Sequence, residues 1–240
     1  MVRLALVSPI VALLAVAASA QIAPPPTAGG RPPMPPPICN PCLFYGGDIT
    51  PDDPNADALA DENTLLIGET ETLGAVQVPH GHQAIVRGLL FNVLATLNDF
   101  NPKTATWEIR TGVSSGNGGT QLGQGSGEAN ITPTGRQAFG LNEYTIAVVV
   151  NPPITLDAGT YWFNVTPQCT DSGDENCNME DFYASNTTHG TNNIRGELQP
   201  LHDMFLESPY LAFPYENWCA DGLNTYQCAA LSFGVIGVGH

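Results

Sequence analysis

Residues 112–116 read G-V-S-S-G. This is the G-x-S-x-G spacing with which serine hydrolases hold a nucleophilic hydroxyl on a strained turn between a strand and a helix. The chemistry also needs that helix, whose N-terminus helps to build the oxyanion hole. A strand pattern does precede Ser114, but GNGGTQLGQGSG follows it. Each glycine inside a helix costs roughly 1 kcal/mol relative to alanine, so no helix starts there. Asn117-Gly118 is a hairpin signal instead, and Thr120-Gln121-Leu122 begins a returning strand. Ser114 reads as a hairpin hydroxyl, and no catalytic residue is assigned.

Other residue types could do other chemistry. Asp53, Asn55 and Asp57 place oxygen ligands at alternate positions, as a Ca²⁺ loop does, with Asp48, Asp52 and Asp61 nearby. An EF-hand would next need Gly where Ala58 stands, and Glu where Thr64 stands. An irregular Ca²⁺ loop survives there, with Asp171, Asp174, Glu175, Glu180 and Asp181 as a second candidate. In a chain this acidic the carboxylates read first as solvated loops, and no cofactor other than such a Ca²⁺ ion is suggested. His80-Gly81-His82 could offer two imidazoles to a metal, but no carboxylate follows closely. Asp171-Ser172-Gly173 has no second copy to share a proton, as an aspartic protease requires. Glycoside hydrolysis needs two carboxyls about 5–9 Å apart, a distance sequence does not give. Glu108 faces outward beside Arg110 and reads as a surface ion pair. Exposed aromatics stack on sugar rings, so Trp162, Tyr210, Phe213, Tyr215 and Trp218 are candidates for a carbohydrate platform. Trp162 shares a strand face with the Asn164 sequon, which points to exposure.

These residues need a scaffold, and its surroundings are legible first. Residues 1–20 carry Arg3, an apolar run and Ala18-Ser19-Ala20, the layout of a secretory signal peptide. Residues 21–42 hold nine prolines; proline fixes φ and removes a donor, so this is an extended spacer before a domain at 43–240. Six cysteines (Cys39, Cys42, Cys169, Cys177, Cys219 and Cys228) suit an oxidising compartment and could all pair. Their spacing suggests three local pairs, although roughly 15 connectivities are open. Asn130, Asn164 and Asn186 head N-x-[ST] sequons. With 7 Lys+Arg against 23 Asp+Glu, the net charge is −16. Such a surface repels phosphate backbones and anionic headgroups, so neither nucleic acid nor membrane is an expected partner.

Period-two alternation then places the strands. Ala105, Trp107 and Ile109 form one apolar face. Tyr144, Ile146, Val148 and Val150 alternate with Thr145, Ala147 and Val149, so both faces are mostly apolar, as in a strand near the middle of a sandwich. Tyr161, Phe163 and Val165 share a face after a turn at Asp157-Ala158-Gly159. Residues 83–94 and 231–238 complete the pattern, and 55–66 reads as a short helix. Many short strands with Gly- and Pro-rich turns give an all-β fold, an antiparallel β-sandwich or jelly-roll-like single domain.

The ordered series TWEIRTGVSSGNGGTQLGQGSG, TPTGRQAFGLNEYTIAV and ITLDAGTYWFNVTP resembles a group of secreted bacterial and fungal β-sandwich proteins without an assigned activity, with YGGD near residue 45 as a weaker echo. The likeness covers about residues 107–167. It implies an extracellular sandwich and assigns no catalytic residue. The reading is therefore of a secreted, non-catalytic protein at a cell wall or extracellular surface, with a glycan as its possible ligand. A polysaccharide hydrolase on a jelly-roll scaffold and a protein-interaction module are the alternatives.

Overall fold

The computed structural model describes residues 42–49, 71–95, 102–138, 140–168, 182–184, 186–187, 195–208, 213–217 and 230–240. The leader, the spacer before Cys42 and the helix read at 55–66 lie outside them.

The strands are β1 (Cys42–Tyr45), β2 (Glu71–Val78), β3 (Ala84–Ala95), β4 (Thr104–Thr111), β5 (Thr120–Glu128), β6 (Asn130–Ala138), β7 (Leu141–Leu156), β8 (Gly159–Gln168), β9 (Phe182–Ala184), β10 (Asn186–Thr187), β11 (Arg195–Gly196), β12 (Gln199–Ser208), β13 (Phe213–Asn217), β14 (Ala230–Leu231) and β15 (Phe233–Gly239). One sheet runs β11-β1-β15-β3-β7-β6, with β9 also on β3; the second runs β13-β12-β2-β8-β4-β5; β10 and β14 make a small ribbon. The pairings are antiparallel. The fold is an all-β sandwich of two sheets.

Alternation explains the layering. Ala105, Trp107 and Ile109 on β4, with Tyr161, Phe163 and Val165 on β8, meet Leu89, Phe91, Ile146 and Val148 of the first sheet in one buried core. Phe233 is its hub, with ring centroids 5.0 Å from Phe44, 5.9 Å from Phe91 and 6.2 Å from Phe163. The edge strand β5 is built differently. Gly125 faces the Trp107 indole, and a Cβ there would come within 2.8 Å of the ring. The strand gives up side chains so that the neighbouring tryptophan can fill the layer. After β5 only Ala129 intervenes before β6 begins in the other sheet.

The expectation for β7 holds on one face. Tyr144, Ile146, Val148 and Val150 are buried, but Val149 on the other face is 69 % exposed. On that same face Thr145 is buried and Ala147 half-buried, so the outer face is only partly covered.

The outer face of the first sheet carries a buried polar network, and the YGGD segment supplies part of it. Tyr45 Oη donates to Asp48 (2.6 Å), and Asn92 Nδ2 donates to Tyr45 Oη (2.9 Å) and to Ser232 Oγ (2.7 Å). Thr145 Oγ1 donates to Asn92 Oδ1 (2.6 Å). Arg136 bridges Glu143 and Asp48. Burial, reinforced by the hydrogen bond to Asp48, pushes the Tyr45 hydroxyl well above its ordinary pKa. Asp48 is thus engaged with Tyr45 and Arg136.

Candidate functional site on the outer face of the second sheet

Strand alternation sends Thr106, Glu108 and Arg110 of β4 to the outside of the second sheet. Register sets Glu108 opposite Asn164 of β8 and Gln124 of β5, and Thr106 opposite Thr166 and Ser126. The result is a groove of about 500 Å³ lined by Glu71, Thr106, Trp107, Glu108, Gln124, Gly125, Ser126 and Asn164. Its outward-facing side-chain groups are carboxyls, hydroxyls and amides.

Glu108 accepts from Arg110 Nε at 2.6 Å, and Arg110 Nη1 also donates to the Gly118 carbonyl at 3.0 Å. The ion pair expected from sequence is present, but Glu108 is buried rather than on an open surface. Glu71 of β2 reaches the same groove, and its carboxyl is hydrogen-bonded to that of Glu108. Burial first, then the Glu108 charge and this hydrogen bond, push the Glu71 pKa up to about 8, against the pull of Arg110. At neutral pH Glu71 therefore holds a proton, and the groove presents one ion pair and one neutral carboxyl.

The G-V-S-S-G segment closes one end of this face. Ser114 N donates to Asn117 O (2.9 Å), Asn117 N donates to Ser114 O (2.7 Å), and the turn falls on Ser115-Gly116, two residues before the Asn117-Gly118 signal. No helix follows Ser114. The hairpin tip packs on Tyr215 instead: Gly116 N donates to Tyr215 O (3.1 Å), and the Arg110 guanidinium sits 5.2 Å from the ring centroid. Tyr215 has φ 48°, a left-handed conformation rarely adopted outside glycine. A Cβ on Gly118 would lie 2.4 Å from Tyr215 Cζ. The ring is held between Arg110 and its apolar neighbours, so Gly118→Ala should destabilise the fold by about 1–3 kcal/mol in urea unfolding. A change under about 0.5 kcal/mol would mean that the ring swings aside freely.

Two of the sequence expectations need correction. Trp162 does lie on the outer face, but it is only 6 % exposed. Phe205 of β12 packs edge-on against it at 6.3 Å, within a cluster that Tyr215 also covers. It is no stacking platform. Asn164 is 2 % exposed; its Nδ2 donates to the Thr72 carbonyl (2.9 Å), and its Oδ1 accepts from Thr166 Oγ1 (2.9 Å). The folded face has no room for a glycan on that amide, whereas Asn130, on the edge strand β6, is exposed.

Tyr215 is half-buried beside the groove. Tyr210, Trp218, Asp53, Asn55 and Asp57 lie outside the described residues, as do Cys39, Cys169, Cys177, Cys219 and Cys228, and the same holds for the side chain of Asn186. Cys42 is not a free thiol. His80 and His82 stand exposed in the β2–β3 turn, and no group of three metal-ligating side chains occurs among the described residues. Sequence reasoning missed Glu71. It sits at the first position of β2, and no local pattern ties it to Glu108.

No protein-family model, curated protein or solved structure matches this chain.

Proposed function

We propose that this is a secreted, non-catalytic sandwich protein, disulfide-bonded and glycosylated at Asn130, that binds a neutral glycan in the groove of its second sheet. The observation that carries the reading is the groove's lining. Thr106, Gln124, Ser126 and Glu108 present donors and acceptors along two adjacent strands, the pattern a polyhydroxylated ligand needs. The Glu108–Arg110 pair and the protonated Glu71 leave this patch near neutral within a strongly acidic chain, which favours an uncharged sugar. Recognition here is by hydrogen bonds rather than by stacking on Trp162. A glycosidase would need its two carboxyls about 5 Å or more apart with sugar between them; Glu71 and Glu108 touch each other.

A glycan array probed with the chain from residue 21 onward tests this. Neutral oligosaccharides should bind, and Gln124→Ala with Ser126→Ala should weaken binding at least about tenfold, each lost hydrogen bond contributing about 1 kcal/mol or more. Absence of any bound glycan, or variants that bind like the parent, would refute it. Shortened oligosaccharides recovered from the array would point to the hydrolase instead.

A further inference from the structure

We infer that Glu71 and Glu108 form a proton-held clasp over β8, which covers the groove floor while one proton is shared and uncovers it when that proton leaves. The inference stands on the groove's geometry and does not depend on what the groove binds.

The two carboxyls come from strands that are not neighbours. β8 runs between β2 and β4, so the side chains meet above it, where Asn164 lies opposite Glu108. Asn164 lines the same groove and is buried. A hydrogen bond between two carboxyls needs one proton. With Arg110 fixed on Glu108, that proton resides on Glu71. The other charged or titratable groups acting on the pair are Glu207 of β12, which adds negative charge, and Tyr215 of β13, which Arg110 covers. β8 and β5 contribute only the uncharged Asn164, Gln124 and Ser126 to the lining. Loss of the proton leaves two carboxylates side by side with one guanidinium, which is paired to Glu108, and like charges this close repel each other.

The sign follows from linkage. The folded chain holds the Glu71 proton more tightly than the unfolded chain does. This contribution is fully present below the ordinary value of 4.5 and is lost as pH rises towards about 8. The face should tighten in acid and loosen in mild alkali.

Carbon-13 NMR of the side-chain carboxyls in the full folded chain, with no ligand added, reads the clasp directly. One glutamate carboxyl should titrate at about pH 8. That signal should vanish in Glu71→Gln and move down towards the ordinary carboxylate range in Glu108→Gln. Solvent exchange of the Asn164 side-chain amide at about pH 9 should be at least about tenfold faster in the parent than in Glu71→Gln, whose amide keeps bridging Glu108 without titrating. The clasp is overturned if every carboxyl of the parent titrates below about pH 6, or if the two Asn164 exchange rates match. The parent titration decides the matter even if a variant fails to fold. A failed glycan array would leave these readings untouched.

Discussion

Replacing Phe233 with alanine should lower the unfolding free energy by about 3–5 kcal/mol. This is the largest effect anticipated for any apolar position. The ring touches aromatic neighbours in both sheets, Phe44 and Phe91 on one side and Phe163 on the other. It also fills the space above Gly74, where a Cβ would lie 2.5 Å from its edge. Deleting it opens a cavity at the junction of the sheets, and the surrounding strands are too constrained by their ladders to collapse into it. Aromatic contacts of this kind add about 0.5–1.5 kcal/mol beyond the area they bury. Urea denaturation checks the value, with Phe233→Leu as a milder companion. A loss under about 1 kcal/mol for the alanine variant would show that the sheets are held together elsewhere.

Arg136→Met should be comparably damaging, by about 3–5 kcal/mol, for an electrostatic reason. Arg136 bridges β6 to Glu143 of β7 and to Asp48 just beyond β1. The Glu143 side chain has no exposure. Methionine matches the arginine's apolar stem but leaves that carboxylate buried without its cation. Pairing Arg136→Met with Glu143→Gln should recover a large part of the loss, because the charge and its partner then leave together. Arg136→Lys should fail to substitute, since one ammonium cannot reproduce the planar fork that serves both acids. If the single and double variants unfold at the same urea concentration, the pair contributes nothing as a pair.

What could be read in advance depended on how locally each feature is encoded. β4, β7 and β8 declare themselves by alternation over five to seven residues, and their inner faces are buried as that pattern requires. β5 is harder: its inward positions are Gly123, Gly125 and Gly127, which look like loop and make sense only with Trp107 in place. Trp162 shows the opposite error. Its strand face was identified correctly, but exposure depends on Phe205 and Tyr215, which arrive from strands more than 40 residues later. The Glu71–Glu108 contact was illegible because it joins two strands across a third. Glu108 and Arg110, two residues apart on one strand, could be paired on sight.

The placement of β1 beside β15 has a mechanical consequence. The strands are antiparallel, with Cys42 opposite Ile236, so the chain enters β1 and leaves β15 at the same end of the first sheet. A tension applied between residues upstream of Cys42 and downstream of Gly239 would load this ladder one rung at a time, like a zipper, instead of shearing all its rungs together. Of the ways to pull this sandwich apart, a tug on those two flanks is a gentle one, and stretching the molecule between β1 and the tip of the β4–β5 hairpin should demand far more force.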